Sequence, residues 1–544
     1  MALYHDRDGN LWLGLEHEGL LLHPADTENW HVIALDTYEN GVVSKEIRSI
    51  IMGSDDDIWV GTQHGLNRLS RLDNQWQQIA SYYHQRRNPN SLGSGKVVSI
   101  LSDKDGSVWV GTWNGGVSRL NEANNLFASF TSDLSLLAKA RNAATISLIS
   151  SPQTLWVGTA DGLFELDLID GEFNQVADAN GSFTYYSSMD VGEQVLFGHA
   201  QGITVFDKTS KQYQEMALPN EVSRGPVRRM WQDQHAIWLA IDQFGLVVMD
   251  RSLQNVLEFK PLNRAVTFIK PIDQYVLVGS YNGLSWFDRN TTELVYHHEL
   301  AATDGNNTPS LPSAPMDYVQ SSDGRHWLAT NGGGLYQMHY QTNLKTLSAV
   351  RFEWHSASEL LKTGQLKTMA KDDAGNIWLS TAFGISVFRP ENNTIRNFGQ
   401  RHGTLNRDYI NASGTVLPDG QIAFGAMEGF TVFKPEKVFA YQVKPIAAPQ
   451  IQAIMVNNMP LAKDPAEADI ALARILHGTR QLSIPPKGAR NVSIDFSTRE
   501  YIETAQVQFQ YRLDPIDSDW TTQEANRRSA NFERLPPGKY TLRL

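Results

Sequence analysis

The sequence predicts an all-β protein, a β-propeller followed by a small β-sandwich. Three observations predict it. A Trp-x-Gly-Thr core recurs in near-copies along most of the 544 residues, alternating runs of four to six residues bounded by Gly, Asn and Asp flank each copy, and both patterns stop after Phe433-Lys434-Pro435.

Aligned on that core, the copies fall at Trp12, Trp59, Trp109, Trp156, Leu196, Trp238, Leu277, Trp327, Trp378 and Ala423, ten units spaced 39 to 51 residues apart. Residues 97–120 show how one is built. The run Val97 to Ile100 leads through an Asp/Gly turn (Asp103 to Gly106) into Val108-Trp109-Val110. The turn Asn114-Gly115-Gly116 then gives a third run, Val117 to Leu120, and a less regular fourth run ends the unit. Short runs between residues that accept positive φ are strands in tight hairpins, and four of them in a unit of about 40 to 50 residues make a propeller blade. In the first unit, Asp6 to Asn10 is already the first turn and Trp12 already the second strand, so its first strand is expected to be missing.

The repeated residues are read as architecture. A large ring among small residues on a middle strand fills the space between blades. Gly111, Gly158, Gly279 and Gly425 are expected to permit close backbone approach, and Gly65, Gly162 and Gly283 to serve the turn.

After the last unit, Pro435, Pro445, Pro449, Pro460 and Pro465 mark a connector. Alternating runs follow at 491–497, 507–513 and 529–535, and Pro536-Pro537-Gly538 turns the chain into Tyr540-Thr541-Leu542. These runs read as part of a β-sandwich that stops early.

Composition narrows the partners. A formal charge of -12, with 47 basic against 59 acidic residues, disfavours nucleic acid and anionic membrane surfaces, which attract clustered Lys and Arg. The absence of cysteine excludes disulfides and thiolate chemistry. No apolar stretch approaches the roughly 18 residues of a membrane helix, and the start, MALYHDRDGNLWLG, does not read as a signal peptide.

At this point the residues carry a resemblance. The blades, above all NPNSLGSGKVVSILSDKDGSVWVGTWNGGVSRL (88–120), resemble the two-component regulator propeller repeat of bacterial sensor proteins, and 403–438 resembles the last blade of that family. The segment from Asn491 to Trp520, followed by LPPGKYTL, is similar to the Y_Y_Y domain, with matches at Tyr501, Tyr511, Leu513, Trp520, Pro537, Gly538 and Tyr540. The resemblance implies a periplasmic sensor with a signal peptide, two seven-bladed propellers, the sandwich, a membrane helix and a cytoplasmic histidine kinase or diguanylate cyclase. Against that pattern this chain has ten units, no membrane helix and no output domain. The expected organisation is a three-blade part of a first propeller at 1–140, a seven-bladed propeller at 141–440 and the Y_Y_Y sandwich at 441–544, with a joint near Leu134 to Thr145. A single ten-bladed ring is the alternative.

No Gly-x-Ser-x-Gly, His-Glu-x-x-His or P-loop motif is present. Asp6-Arg7-Asp8-Gly9-Asn10 begins like a calcium loop without the closing Glu, and His297-His298 point to opposite faces of a strand. Neither a metal nor a cofactor is expected. Binding is expected at the channel mouth, where second-to-third-strand loops meet the links between blades. The candidates there are Trp113, Asn114, Arg228, Asp242, Tyr281, Asn282, Asn331, Lys367, Arg407 and Tyr409, with Lys96, Arg141, Asp161 and Glu428 beside them. Rings mixed with amides and guanidinium groups suit a carbohydrate or small anion. The expected function is a ligand-sensing ectodomain that binds a small molecule or oligosaccharide, joins the membrane through a further helix, and dimerises through the sandwich. The alternative is a propeller-type polysaccharide hydrolase or lyase.

Overall fold

The computed structural model describes residues 2–33, 35, 46–53, 56–72, 75–84, 91–103, 107–120, 126–131, 144–168, 173–176, 183–220, 222, 225–262, 265–300, 311–341, 350–405, 408–441, 448–460, 491–498, 509–523 and 528–544. They form two compact units, Met1–Tyr441 and Gln442–Leu544.

Among the described residues of the first unit, six sheets of four consecutive antiparallel strands lie at 145–176, 187–216, 227–261, 266–299, 315–354 and 366–398. A seventh combines Tyr409–Val416, Ile422–Ala426 and Gly429–Phe433 with a strand from far upstream, Ala128–Thr131. Neighbouring sheets touch through their first strands, and Thr145–Ser151 of the first touches Tyr409–Val416 of the last, which closes a ring of seven blades. The upstream strand pairs Ser129 with Thr431 and Phe130 with Phe430, whose rings stack 4.7 Å apart. A boundary after residue 140 therefore needs correction, because 128–131 belongs to the ring. The last unit supplies only three strands, and the borrowed one covers the ladder groups its outer edge would otherwise leave bare.

Three further sheets precede the ring, at 2–33, 47–82 and 97–120. The expectation that the first lacks a strand is corrected: Ala2–His5 pairs along Leu11–Gly14. The third sheet has three strands because its fourth run is the one that closes the ring.

The repeated signature explains how each blade is held. In five blades the core indole N–H is tied to the first turn: Trp12, Trp109 and Trp378 Nε1 each donate at 2.8 Å to Asp6, Asp103 and Asp372, while Trp156 and Trp327 use Ser151 and Ser321; Trp59 and Trp238 Nε1 are buried with no acceptor among the described residues. Asp6 also accepts from the backbone of Asp8 and Asn10, so its turn is a latch on the Trp. The Thr hydroxyl caps the next turn, as from Thr159 to the Gly162 carbonyl at 2.9 Å, where Gly162 has φ +136°.

The glycine of the signature makes room for a bond between blades. All seven ring interfaces carry one at the same level: Ser147 to the Tyr185 carbonyl, Ser187 to Val227, Arg229 to Thr267, Thr267 to Pro315, the Met369 N–H to Asp317, Thr368 to Ile410, and Ser413 to Thr145. Gly158, Gly198 and Gly425 lie against three of these hydroxyls, and a Cβ there would come within 2.0 to 2.4 Å of the oxygen.

The second unit has two small sheets, one with strands Gln450–Val456, Met459–Pro460, Asn491–Ser497 and Ser529–Glu533, the other with Phe509–Asp514, Thr521–Gln523 and Thr541–Arg543. Phe496, Phe509 and Ala530 make its buried core. Tyr501 lies outside the described residues.

Candidate functional site

The hairpin loops and the inter-blade links share one rim because a backbone bond joins them in blade after blade. The residue after the Thr position donates to the carbonyl of the link: Ala160 to Ala144, Asp242 to Pro226, Tyr281 to Ala265, Asn331 to Ala314 and Met427 to Asp408, at 3.0 to 3.3 Å. This bond fixes Asp242, Tyr281 and Asn331 at the mouth of the ring channel.

Between ring blades three and four, that rim opens into a cleft of about 540 Å³. Arg228 and Asp242 supply its polar wall, and Phe244, Pro261, Leu262 and Ala265 its apolar one. Arg228 Nε donates to Asp242 Oδ2 at 2.6 Å, and its guanidinium carbon stands 4.1 Å from the centre of the Tyr186 ring. The Nη groups of Arg228 donate to nothing among the described residues. Stacking on one face and an ion pair at one edge hold the fork in place with those groups unspent.

Below the mouth lies Arg229. The ladder shifts register between Val227 and Arg229, which brings Arg228 out to the rim and turns Arg229 into the channel. There Nε donates to the Thr267 carbonyl at 2.7 Å, Nη1 to the Arg228 carbonyl at 2.6 Å, and Nη2 crosses to the Asn411 carbonyl of blade seven at 3.3 Å. Burial, then the charge of Arg228, push its pKa down to about 10, against the pull of Asp317. Asp317 is buried and already bound by Lys270 at 2.6 Å.

The structure thus brings together Arg228, Asp242 and Tyr281 from the expected set and adds Tyr186 and Arg229. Asn282 and Asn331 stand on the same rim, Asn331 exposed and Asn282 fixed by its N–H to Ser280. Lys367 is partly buried beside Thr368. Trp113 and Asn114 lie on the third N-terminal sheet, outside the ring; Trp113 is 63% exposed, with Lys96 Nζ 4.4 Å from its ring centre. Placing them on the same rim as Arg228 is therefore corrected. Tyr409 is a second correction. It is 1% exposed, its hydroxyl pairs with Thr431 at 2.9 Å, and burial pushes its phenol pKa up. Three extra residues bulge out between Tyr409 and Gly414, with Ala412 at φ +54°, so the bulge and not the tyrosine reaches the channel. Arg407 and Arg141 lie outside the described residues. Among the described residues no cluster of His, Cys, Asp and Glu is arranged to hold a metal ion.

Comparison with known proteins agrees with the fold. The Y_Y_Y domain family matches residues 500–544, and the two component regulator propeller family residues 91–114. The extracellular domain of a putative hybrid two component system from B. thetaiotaomicron superposes with a TM-score of 0.73 at 22% identity, over 99% of this chain and 69% of that one. Histidine kinase P4 of Formosa agariphila is 21% identical over 184 residues, 34% of this chain and 13% of that protein, so the matched region spans a small part of that relative's length. The chain is a β-propeller protein that carries a two component regulator propeller repeat and a Y_Y_Y domain.

Proposed function

We propose that this chain is the ligand-sensing, periplasmic region of a bacterial transmembrane signalling protein. In this reading it binds an extracellular, carbohydrate-derived ligand at the mouth of the seven-bladed ring and relays binding to a cytoplasmic histidine kinase or diguanylate cyclase carried by other parts of the protein. The observation that carries the proposal is the rim cleft, where a pre-set Arg228–Asp242 pair faces an apolar wall of Phe244, Pro261 and Leu262. A sugar presents the matching surfaces, hydroxyls for the paired donor and acceptor and a C–H face for the apolar side. Among the described residues no helix is long and apolar enough to cross a membrane.

Calorimetry against a panel of oligosaccharides, with product analysis on the same samples, tests the proposal. Binding without turnover that weakens roughly a hundredfold in Asp242→Ala is expected, the loss typical of an anchoring residue. Cleavage products that vanish on changing a single rim carboxylate would replace the sensor with the hydrolase or lyase.

A further inference from the structure

The channel mouth carries more positive charge and more hydrogen-bond donors than its own residues use. Of the five N–H groups of a guanidinium, Arg229 spends three on neutral carbonyls, and the other two meet no acceptor among the described residues. Arg228 spends only Nε, on Asp242. The carboxylates that act on Arg229 are Asp317 and Asp242, and each already has a cation within 2.6 Å, Lys270 and Arg228 respectively. Three cations thus share two carboxylates, in a protein whose formal charge is -12.

A partly buried guanidinium held only by carbonyl dipoles has lost much of its hydration without gaining a counter-charge. An oxyanion supplies that charge, and it does so where screening is weak. A neutral sugar does not. The planar forks of Arg228 and Arg229, on consecutive residues, also match the paired oxygens of a carboxylate or sulfate.

We infer that the ligand of the channel mouth is an acidic sugar, a uronate or a sulfate ester, whose oxyanion is bound by Arg228 and Arg229. The inference rests on the carbohydrate reading of the same site and narrows it to one class.

The test uses the whole chain, with thermal shift and calorimetry against sodium sulfate, sodium glucuronate and glucose, referenced to sodium chloride at equal ionic strength. Sulfate and glucuronate are expected to stabilise the protein in a saturable way, glucose to bind at least roughly tenfold more weakly, and Arg228→Gln to remove on the order of tenfold in anion affinity. Arg229→Gln is expected to do the same and Arg229→Lys to retain part of it. Should Arg229→Gln not fold, Arg228→Gln decides, since that side chain is partly exposed and its one hydrogen bond among the described residues goes to Asp242 of its own blade. Sulfate and glucuronate behaving as chloride does would overturn the inference, while neutral oligosaccharides that still bind would leave the carbohydrate reading intact. Anion binding that Arg228→Gln leaves unchanged would also overturn it. Arginine-dependent anion binding with no sugar of the panel bound would keep the oxyanion site and remove the sugar.

Discussion

Replacing Gly158 by alanine adds one methyl group at the interface between ring blades one and two, and the effect can be worked from the contacts. The new Cβ would lie 2.2 Å from Ser147 Oγ and 2.9 Å from Tyr185 Cβ, well inside ordinary van der Waals range. Ser147 has to turn or the strands have to part, and either movement breaks its 3.2 Å bond to the Tyr185 carbonyl. Overpacking of this kind costs about 1 to 3 kcal/mol, and the lost bond adds about 1 kcal/mol. Ser147→Gly alone should cost about 1 to 2 kcal/mol, through the lost bond and the extra chain entropy. In the double variant the clash with the hydroxyl is gone and the bond is lost only once, so its cost should fall below the sum by about 1 to 3 kcal/mol. Equilibrium urea denaturation followed by tryptophan fluorescence measures all three. Effects that add to within about 0.5 kcal/mol would refute the claim that the glycine is there to admit the hydroxyl.

Trp378→Ala removes a fully buried ring that packs 4.6 Å from Phe433 and donates to Asp372; it should cost about 3 to 5 kcal/mol, whereas Trp113→Ala, at an exposed position, should change stability by less than about 0.5 kcal/mol, both read by thermal melts. Asp190 links the first two ring blades through Ser151 and Lys208. Burial alone would raise its pKa, but the bonds from Lys208, Ser151 and the Gly192 N–H outweigh burial and hold it below the ordinary carboxylate value. Its stabilising contribution is thus complete above the unfolded-state pKa and lost as the pH falls through the lowered one. A melting curve of Asp190→Asn should accordingly lie below that of the parent at pH 7 and converge with it in acid.

The blade signature was legible because its causes are local. A Trp bonded to an Asp or Ser six or fewer residues before it, a Thr closing its own turn and a Gly beside a hydroxyl all leave marks within one unit. Three features were not legible, each for a physical reason. The run Ala128–Thr131 contains nothing that names its partner, which lies on the last blade. The register shift between Val227 and Arg229 decides which of two adjacent arginines enters the channel, and alternation alone would allow either. The bulge after Tyr409 turns an expected mouth residue into a core residue and sends Asn411 to meet Arg229. Binding sites depend on such departures from the repeat, and a periodic pattern is least informative where they occur.

The strand that closes the ring also sets a timetable for synthesis. Ser129 and Thr431 are 302 positions apart, and a ribosome adds about 5 to 20 residues per second, so the borrowed strand leaves the tunnel on the order of 15 to 60 s before the edge it will join. During that interval six blades can form in order on the nascent chain, each against the one before it. The seventh has no outer strand until its distant partner returns. A contact of such long sequence separation is slow to form. Until then Ala128–Thr131 is an unpaired strand beside a growing stack of blades, and a second copy of the chain offers it an identical edge. Exchange of this strand between two copies of the chain is the hazard the architecture carries.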